Sequence, residues 1–246
     1  MSRNNAGLNT EGIVIEALRI IDGQGLRRLT MRRLGDALGV EAMAIYHHFP
    51  LGKEQLFDAI VAHITDVTTP SPPSQSESCD DDKTDEADSA AEQGEQADPR
   101  PWNQRLHDWA GAYRTALLTH AGALALLINR RPDTPAALRS LESHYAAFTE
   151  AGLPRAEVGA AAVALDSYVT GAVLHEVRAQ SPPSPDGISN LALDGRYPHL
   201  AGIIRDFPAN DSPEGHFHTG LDALLAGLVG DNHQPQTKAC APGYPT

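Results

Sequence analysis

Between Thr30 and Lys53 the chain reads TMRRLGDALGVEAMAIYHHFPLGK, and this stretch carries its most distinctive chemistry. Helical spacing turns Ala42, Met43, Ala44, Tyr46 and His47 outward, with Arg32, Arg33 and Lys53 around them. Two small residues, a thioether, a phenol and imidazoles make a thin face suited to shape and apolar contact, and the flanking cations suit phosphate oxygens. A surface of this kind enters the major groove of duplex DNA. Catalysis has no comparable grouping. The chain lacks G-x-S-x-G, P-loop, H-E-x-x-H and dinucleotide-binding signatures. His47-His48 and His216-x-His218 come nearest to a metal site, but neither has Cys or carboxylate groups at ligand spacing, so no metal, cofactor or enzymatic activity is expected.

The face needs a scaffold, and the neighbouring residues supply one. Thr30 can cap a helix start, Leu34, Ala37 and Leu38 fall on one side of that helix, and Gly39 provides a turn that residues with a Cβ resist. Val40 plugs the turn, and a second helix over Ala42 to His48 sends Ile45 and Phe49 inward. Before this pair, Thr10 to Asp22 forms a helix whose stripe is Ile13, Ala17, Leu18, Ile20 and Ile21. Gly23-Gln24-Gly25 ends it, and Leu26 and Leu29 pin the connection. After Lys53, a helix from Glu54 to about Asp66 places Leu56, Phe57, Ile60, Val61 and Ile64 inward. Residues 1 to 9 form a loose arm, from which Arg3 can reach DNA.

Taken together, IVIEALRIIDGQGLRRLT and the stretch that follows resemble the DNA-binding domain of the TetR family of transcriptional repressors. The ordered marks are an amphipathic helix, G-L-x-x-L-T, x-R-x-L, A-x-x-L-G-V, and Y-x-H-F followed by a lysine. Pro50-Leu51-Gly52 makes the last step one residue longer than is usual in the family. The resemblance implies that Arg32, Ala42 and Met43 face base edges, while Thr30, Tyr46, His47 and Lys53 meet phosphates or the rim.

The formal charge of −13 runs against DNA binding until it is located. Ten acids against Lys83 and Arg100 lie between residues 68 and 100, whereas residues 1 to 66 hold seven Lys and Arg against eight acids. Local charge around the reading helix, from Arg27, Arg28, Arg32, Arg33 and Lys53, is what phosphates meet. Residues 67 to 101 are rich in Pro, Ser, Asp, Glu and Gln, with almost nothing to bury, and read as an acidic disordered linker. Such a tether either competes for the basic head or is a solvated connection with no role. Cys79 and Cys240 sit in polar sequence without C-x-x-C spacing, which suits a cytoplasmic chain without disulfides. The opening residues have no apolar core for export, and no run approaches a membrane span.

Residues 102 to 230 return to helical periodicity. Helices are expected over Trp102 to Ala121, Ala123 to Ile128, Thr134 to Ala151, Arg155 to about Gln180 and Pro213 to about Val229, with a short one over His199 to Asp206. Residues 231 to 246 read as a frayed tail. In the long helix Val158, Ala162, Leu165, Val169 and Ala172 repeat at four, three, four, three, and Phe217, Leu221, Leu224 and Leu228 repeat the pattern in the last. Two such seams suggest a four-helix interface between two copies of the chain. The expected fold is all-α: an N-terminal three-helix helix-turn-helix domain over residues 1 to 66, then a helical effector-binding and dimerisation domain.

A small-molecule pocket in the second domain follows from the resemblance. Candidate lining residues are Trp109, Tyr113 and Tyr145, with Leu127, Arg131, His144 and His175 near helix ends or turns. The pattern A-L-L-x-H, a short helix and R-P is most similar to the tetracycline-responsive branch of the family. There a magnesium-drug chelate needs a histidine and an acid at positions held here by Leu127 and His175, so a different, more apolar inducer is expected. The functional expectation is a homodimeric repressor on a palindromic double-stranded DNA operator, released by a small molecule of unknown identity. The alternative is a helical interaction module that no longer reads DNA, and salt-dependent, sequence-selective duplex binding separates the two.

Overall fold

The computed structural model describes residues 8–67, 98–130, 134–180, 197–199, 202 and 212–230. The acidic linker and the tail lie outside the described residues, as does most of the short helix expected near His199. Among the described residues every regular element is helical.

Helix α1 spans Thr10–Gln24 and is capped by Asn9, whose side chain accepts from the Gly12 N–H at 2.7 Å. Its stripe of Ile13, Val14, Ala17, Leu18, Ile20 and Ile21 is buried. Helix α2 (Met31–Leu38) packs on it, α3 (Ala42–His48) packs on α2, and α4 (Lys53–Thr65) packs on α1 to close the head with Leu56, Ile60, Val61 and Ile64 buried. Thr30 caps α2 through its hydroxyl, which accepts from the Arg33 N–H at 3.1 Å. Gly39 takes the left-handed conformation at φ 69°, so the break between α2 and α3 is glycine-made as expected. One inner-face assignment changes: Ala37 is exposed, and Gly35 is buried in its place. The cause is close approach, because a Cβ on Gly35 would stand 2.9 Å from the Val40 carbonyl oxygen and 3.2 Å from the Ala42 nitrogen.

The second bundle comprises α5 (Trp102–Thr119), α6 (Leu124–Asn129), α7 (Pro135–Glu150), α8 (Arg155–Ala179) and α9 (Pro213–Val229). Leu106, Trp109, Ala110, Tyr113 and Leu117 of α5 face α7 and α8. Pro135 follows the Thr134 cap of α7, and Gly152 at φ 92° turns the chain into α8. Arg114 bonds Glu176 at 2.8 Å across α5 and α8, both side chains being largely buried. Tyr168 donates to the Phe217 carbonyl oxygen at 2.7 Å, fixing α9 on α8 beside Gly220.

The heptad seams resolve differently from the expectation. Val158, Ala162, Leu165 and Val169 are buried within the single chain, as are Phe217 and Leu221, while Ala172, Leu224 and Leu228 pack half-buried against the same core. Their spacing reports burial, and α5, α7 and the contact between α8 and α9 provide it. On α8, Ala160 and His175 are exposed and Ala164 is half-buried, and α9 beside it exposes Thr219, Ala223 and Gly227.

Helix α4 packs on α5, α6 and α7, and two further joints tie head to bundle. The connection after α5 crosses α1 so closely that a Cβ on Gly122 would stand 2.9 Å from the Ile21 carbonyl oxygen, and His120 pairs with Asp22 at 2.8 Å. The other joint is Arg130, at the end of α6, which bonds the carboxylates of Glu54 and Asp58 on α4.

Candidate DNA-reading face and effector cavity

Helix α3 is two turns long, and only Ile45 of it is fully buried. Met43, Tyr46 and His47 are exposed, while Ala42 and Ala44 are half-buried because α2 comes so close at Gly35. Phe49 fills the core behind the helix, and the Gly52 N–H donates to its carbonyl oxygen at 2.8 Å. Gly52 sits at φ 71°, and a Cβ there would meet the Tyr46 ring at 3.3 Å. Tyr46 therefore rests against the turn with its hydroxyl end outward. Met43, 65% exposed, gives this face a large apolar side chain.

Arg27, Arg28, Arg32 and Arg33 surround one depression with Thr30 and Asp36. Among the described residues none of the four guanidinium groups is in an ion pair, so each is available to phosphate or a base edge. Lys53 is placed differently. It opens α4 half-buried, with Nζ 5.0 Å from the centre of the Phe57 ring, and the Arg130 guanidinium lies 5.3 Å from the same ring.

In the bundle, α5, α6, α7 and α8 line a cavity of about 740 Å³ that is open to solvent on one side and reaches Thr65, the last residue of α4. It brings together Trp109, Tyr113, Leu127 and His144 from the sequence-derived set. It does not include Tyr145, which is turned outward on α7, or His175, which is exposed on the outer side of α8. Arg131 lies outside the described residues. Trp109 stacks on Tyr113 with ring centres 5.0 Å apart and meets His144 edge-on at 4.1 Å. Burial pushes the His144 imidazole down to about 4, so it is neutral near pH 7. Burial, with the Asp166 charge nearby, pushes the Tyr113 phenol up to about 12. The packed atoms around the Asp166 carboxyl raise it above its usual range, although the residue as a whole is exposed.

Sequence reading missed Thr65, Arg130 and Asp166 as wall residues. Asp166 had a legible mark, being the one Asp, Glu, Lys or Arg between Glu157 and Glu176 in an alanine-rich helix. Thr65 had none, since it reaches the cavity only through the packing of head on bundle, and Arg130 joins the wall as the residue that ends α6. Leu127 stands on the wall without a metal-binding atom, and no group of three His, Cys, Asp or Glu gathers among the described residues.

Comparison with known proteins accounts for both halves. Residues 13–60 match the model for bacterial regulatory proteins of the tetR family, and residues 95–230 match the tetracyclin repressor-like C-terminal domain. An HTH-type transcriptional regulator of Saccharopolyspora erythraea is 30% identical over 93% of this chain and 87% of its own length. The class C tetracycline repressor protein of Escherichia coli is 25% identical over 90% of each. The crystal structure of a possible TetR family transcriptional regulator from Streptomyces coelicolor superposes with a TM-score of 0.67 at 27% identity, covering 89% of this chain and 98% of that one. The two matches take in both the helix-turn-helix head and the helical bundle with its cavity, and the chain belongs to the TetR family of DNA-binding transcriptional regulators.

Proposed function

We propose that two copies of the chain read a palindromic operator through α3, and that a small molecule in the cavity between α5 and α8 releases them. Arg32, Ala42 and Met43 face base edges in this reading, with Ala44 beside them. Thr30, Tyr46 and His47 meet phosphates at the rim, and Lys53 joins them by swinging off Phe57. Residues 1 to 66 make up the DNA-reading domain, residues 67 to 101 the linker and residues 102 to 230 the effector and dimerisation domain. Two copies join through the small-residue side of α8 and α9.

Arg130 carries the coupling. It lines the cavity while its guanidinium bonds Glu54 and Asp58 on α4, the helix whose far end, Thr65, lines the cavity too. A molecule seated there touches both ends of the attachment of α4. It acts as an inducer only if it prefers the arrangement in which the two α3 helices no longer fit successive grooves, since equal affinity for both arrangements shifts nothing.

The test is selection of duplexes from a random DNA pool by the purified full-length protein, then titration of the winner at two salt concentrations. The reading expects a palindromic winner whose affinity falls steeply with salt. A pool with no enriched sequence favours the interaction-module alternative instead.

A further inference from the structure

Asp166 stands on the cavity wall where the cavity opens to solvent, itself exposed, and it faces the cavity alone. Among the described residues no Lys, Arg or His pairs with it, and Arg130, the only cation on the described wall, is already shared by Glu54 and Asp58. The wall therefore carries an excess negative charge beside the stacked rings of Trp109 and Tyr113. Deeper in the wall two polar atoms are buried without hydrogen-bond partners, Trp109 Nε1 and His144 Nε2, on side chains 8% and 6% exposed. The indole N–H can only donate, so it calls for an acceptor on the occupant, and a neutral imidazole nitrogen accepts or donates according to tautomer. Ile128, Leu138 and Val163 also line the cavity and leave large apolar surface in water, at 64%, 61% and 65% exposure.

Resting on the reading of this cavity as the effector site, we propose that its occupant is an amphiphilic organic cation: a polycyclic apolar body with nitrogen-borne positive charge for Asp166 and an oxygen acceptor for Trp109. The cavity, at about 740 Å³, lies within the range of small-molecule sites and holds several fused rings. A cation gains from the carboxylate and from the faces of Trp109 and Tyr113 together. An anion would meet Asp166 with no free cation among the described wall residues, and a neutral molecule of the same shape would leave the carboxylate covered and unpaired.

The test uses two dyes on one ring scaffold, both bearing a methyl ester: rhodamine 123, a cation, and fluorescein methyl ester, an anion at pH 7.5. Fluorescence anisotropy with the full-length protein should give rhodamine at least about tenfold tighter binding, and Asp166→Asn should bring the two within about threefold. Thermal melting of Asp166→Asn at or above the parent temperature establishes that the variant is folded. Leu141→Trp, which fills the cavity, should abolish binding of both dyes. Equal or tighter binding of the fluorescein ester, binding of neither dye, or a preference untouched by Asp166→Asn overturns the proposal. If both dyes are lost in Leu141→Trp but charge never matters, the cation class alone fails. If Leu141→Trp leaves both bound, the effector reading of the cavity fails with it.

Discussion

His144 gives the cavity a measurable signature in stability. Its imidazole is buried against Trp109, and its pKa falls from 6.5 to about 4 because the charged form loses its hydration. The unfolded chain takes up this proton below pH 6.5, whereas the folded chain takes it up only near 4. Stability is therefore complete above pH 6.5, is lost as the pH falls towards 4, and is flat below. At about 1.4 kcal/mol per pKa unit the full loss is about 3 kcal/mol, and about 2 kcal/mol of it is gone by pH 5. The assay is urea unfolding of the parent and of His144→Gln, at one protein concentration, at pH 7.5 and pH 5.0. The other histidines are common to both proteins and cancel in the difference. The parent should lose about 2 kcal/mol more than the variant over this interval. Equal losses would mean that His144 is hydrated in the folded protein and that the inner wall of the cavity is wet.

Three other perturbations test the remaining parts. Arg32→Ala should cost about 1 to 3 kcal/mol on the selected duplex and relax base preference, while Tyr46→Phe should weaken all duplexes alike, and equal loss on specific and random DNA for the arginine change contradicts its role. Gly35→Ala should destabilise the head by about 1 to 3 kcal/mol, because its Cβ has no room between Val40 and Ala42, and an unchanged urea midpoint refutes that packing argument. Arg130→Ala should leave the unliganded operator affinity within about threefold while blunting release by any inducer, and full release in this variant removes Arg130 from the coupling.

The DNA-reading half was legible because its signals are local. Thr30 caps within its own turn, Gly39 supplies its own φ, and Ile45 and Phe49 declare the inner face by spacing alone. Even there Gly35 escaped, since a glycine inside a helix gives no sign of the backbone that will press on it. The bundle was legible as helices but not as an assembly. The repeat in α8 says that Val158, Leu165 and Val169 are covered, and only the folded chain says that α5 and α7 cover them. Trp109, Tyr113 and Tyr145 stood out as amphipathic aromatics, and of these Trp109 and Tyr113 reach the cavity while Tyr145 does not. Arg130 and Thr65 matter through contacts between residues more than sixty positions apart, which no local pattern encodes.

The central claim is that two α3 helices read two half-sites at once. The direct measurement is a footprint of the purified protein on its selected duplex, with the number of bound chains determined on the same complex. Two protected half-sites with centres about 10 base pairs apart, one helical turn, and two chains bound are the expected result. A single protected half-site, or one chain per duplex at saturation, would contradict the account.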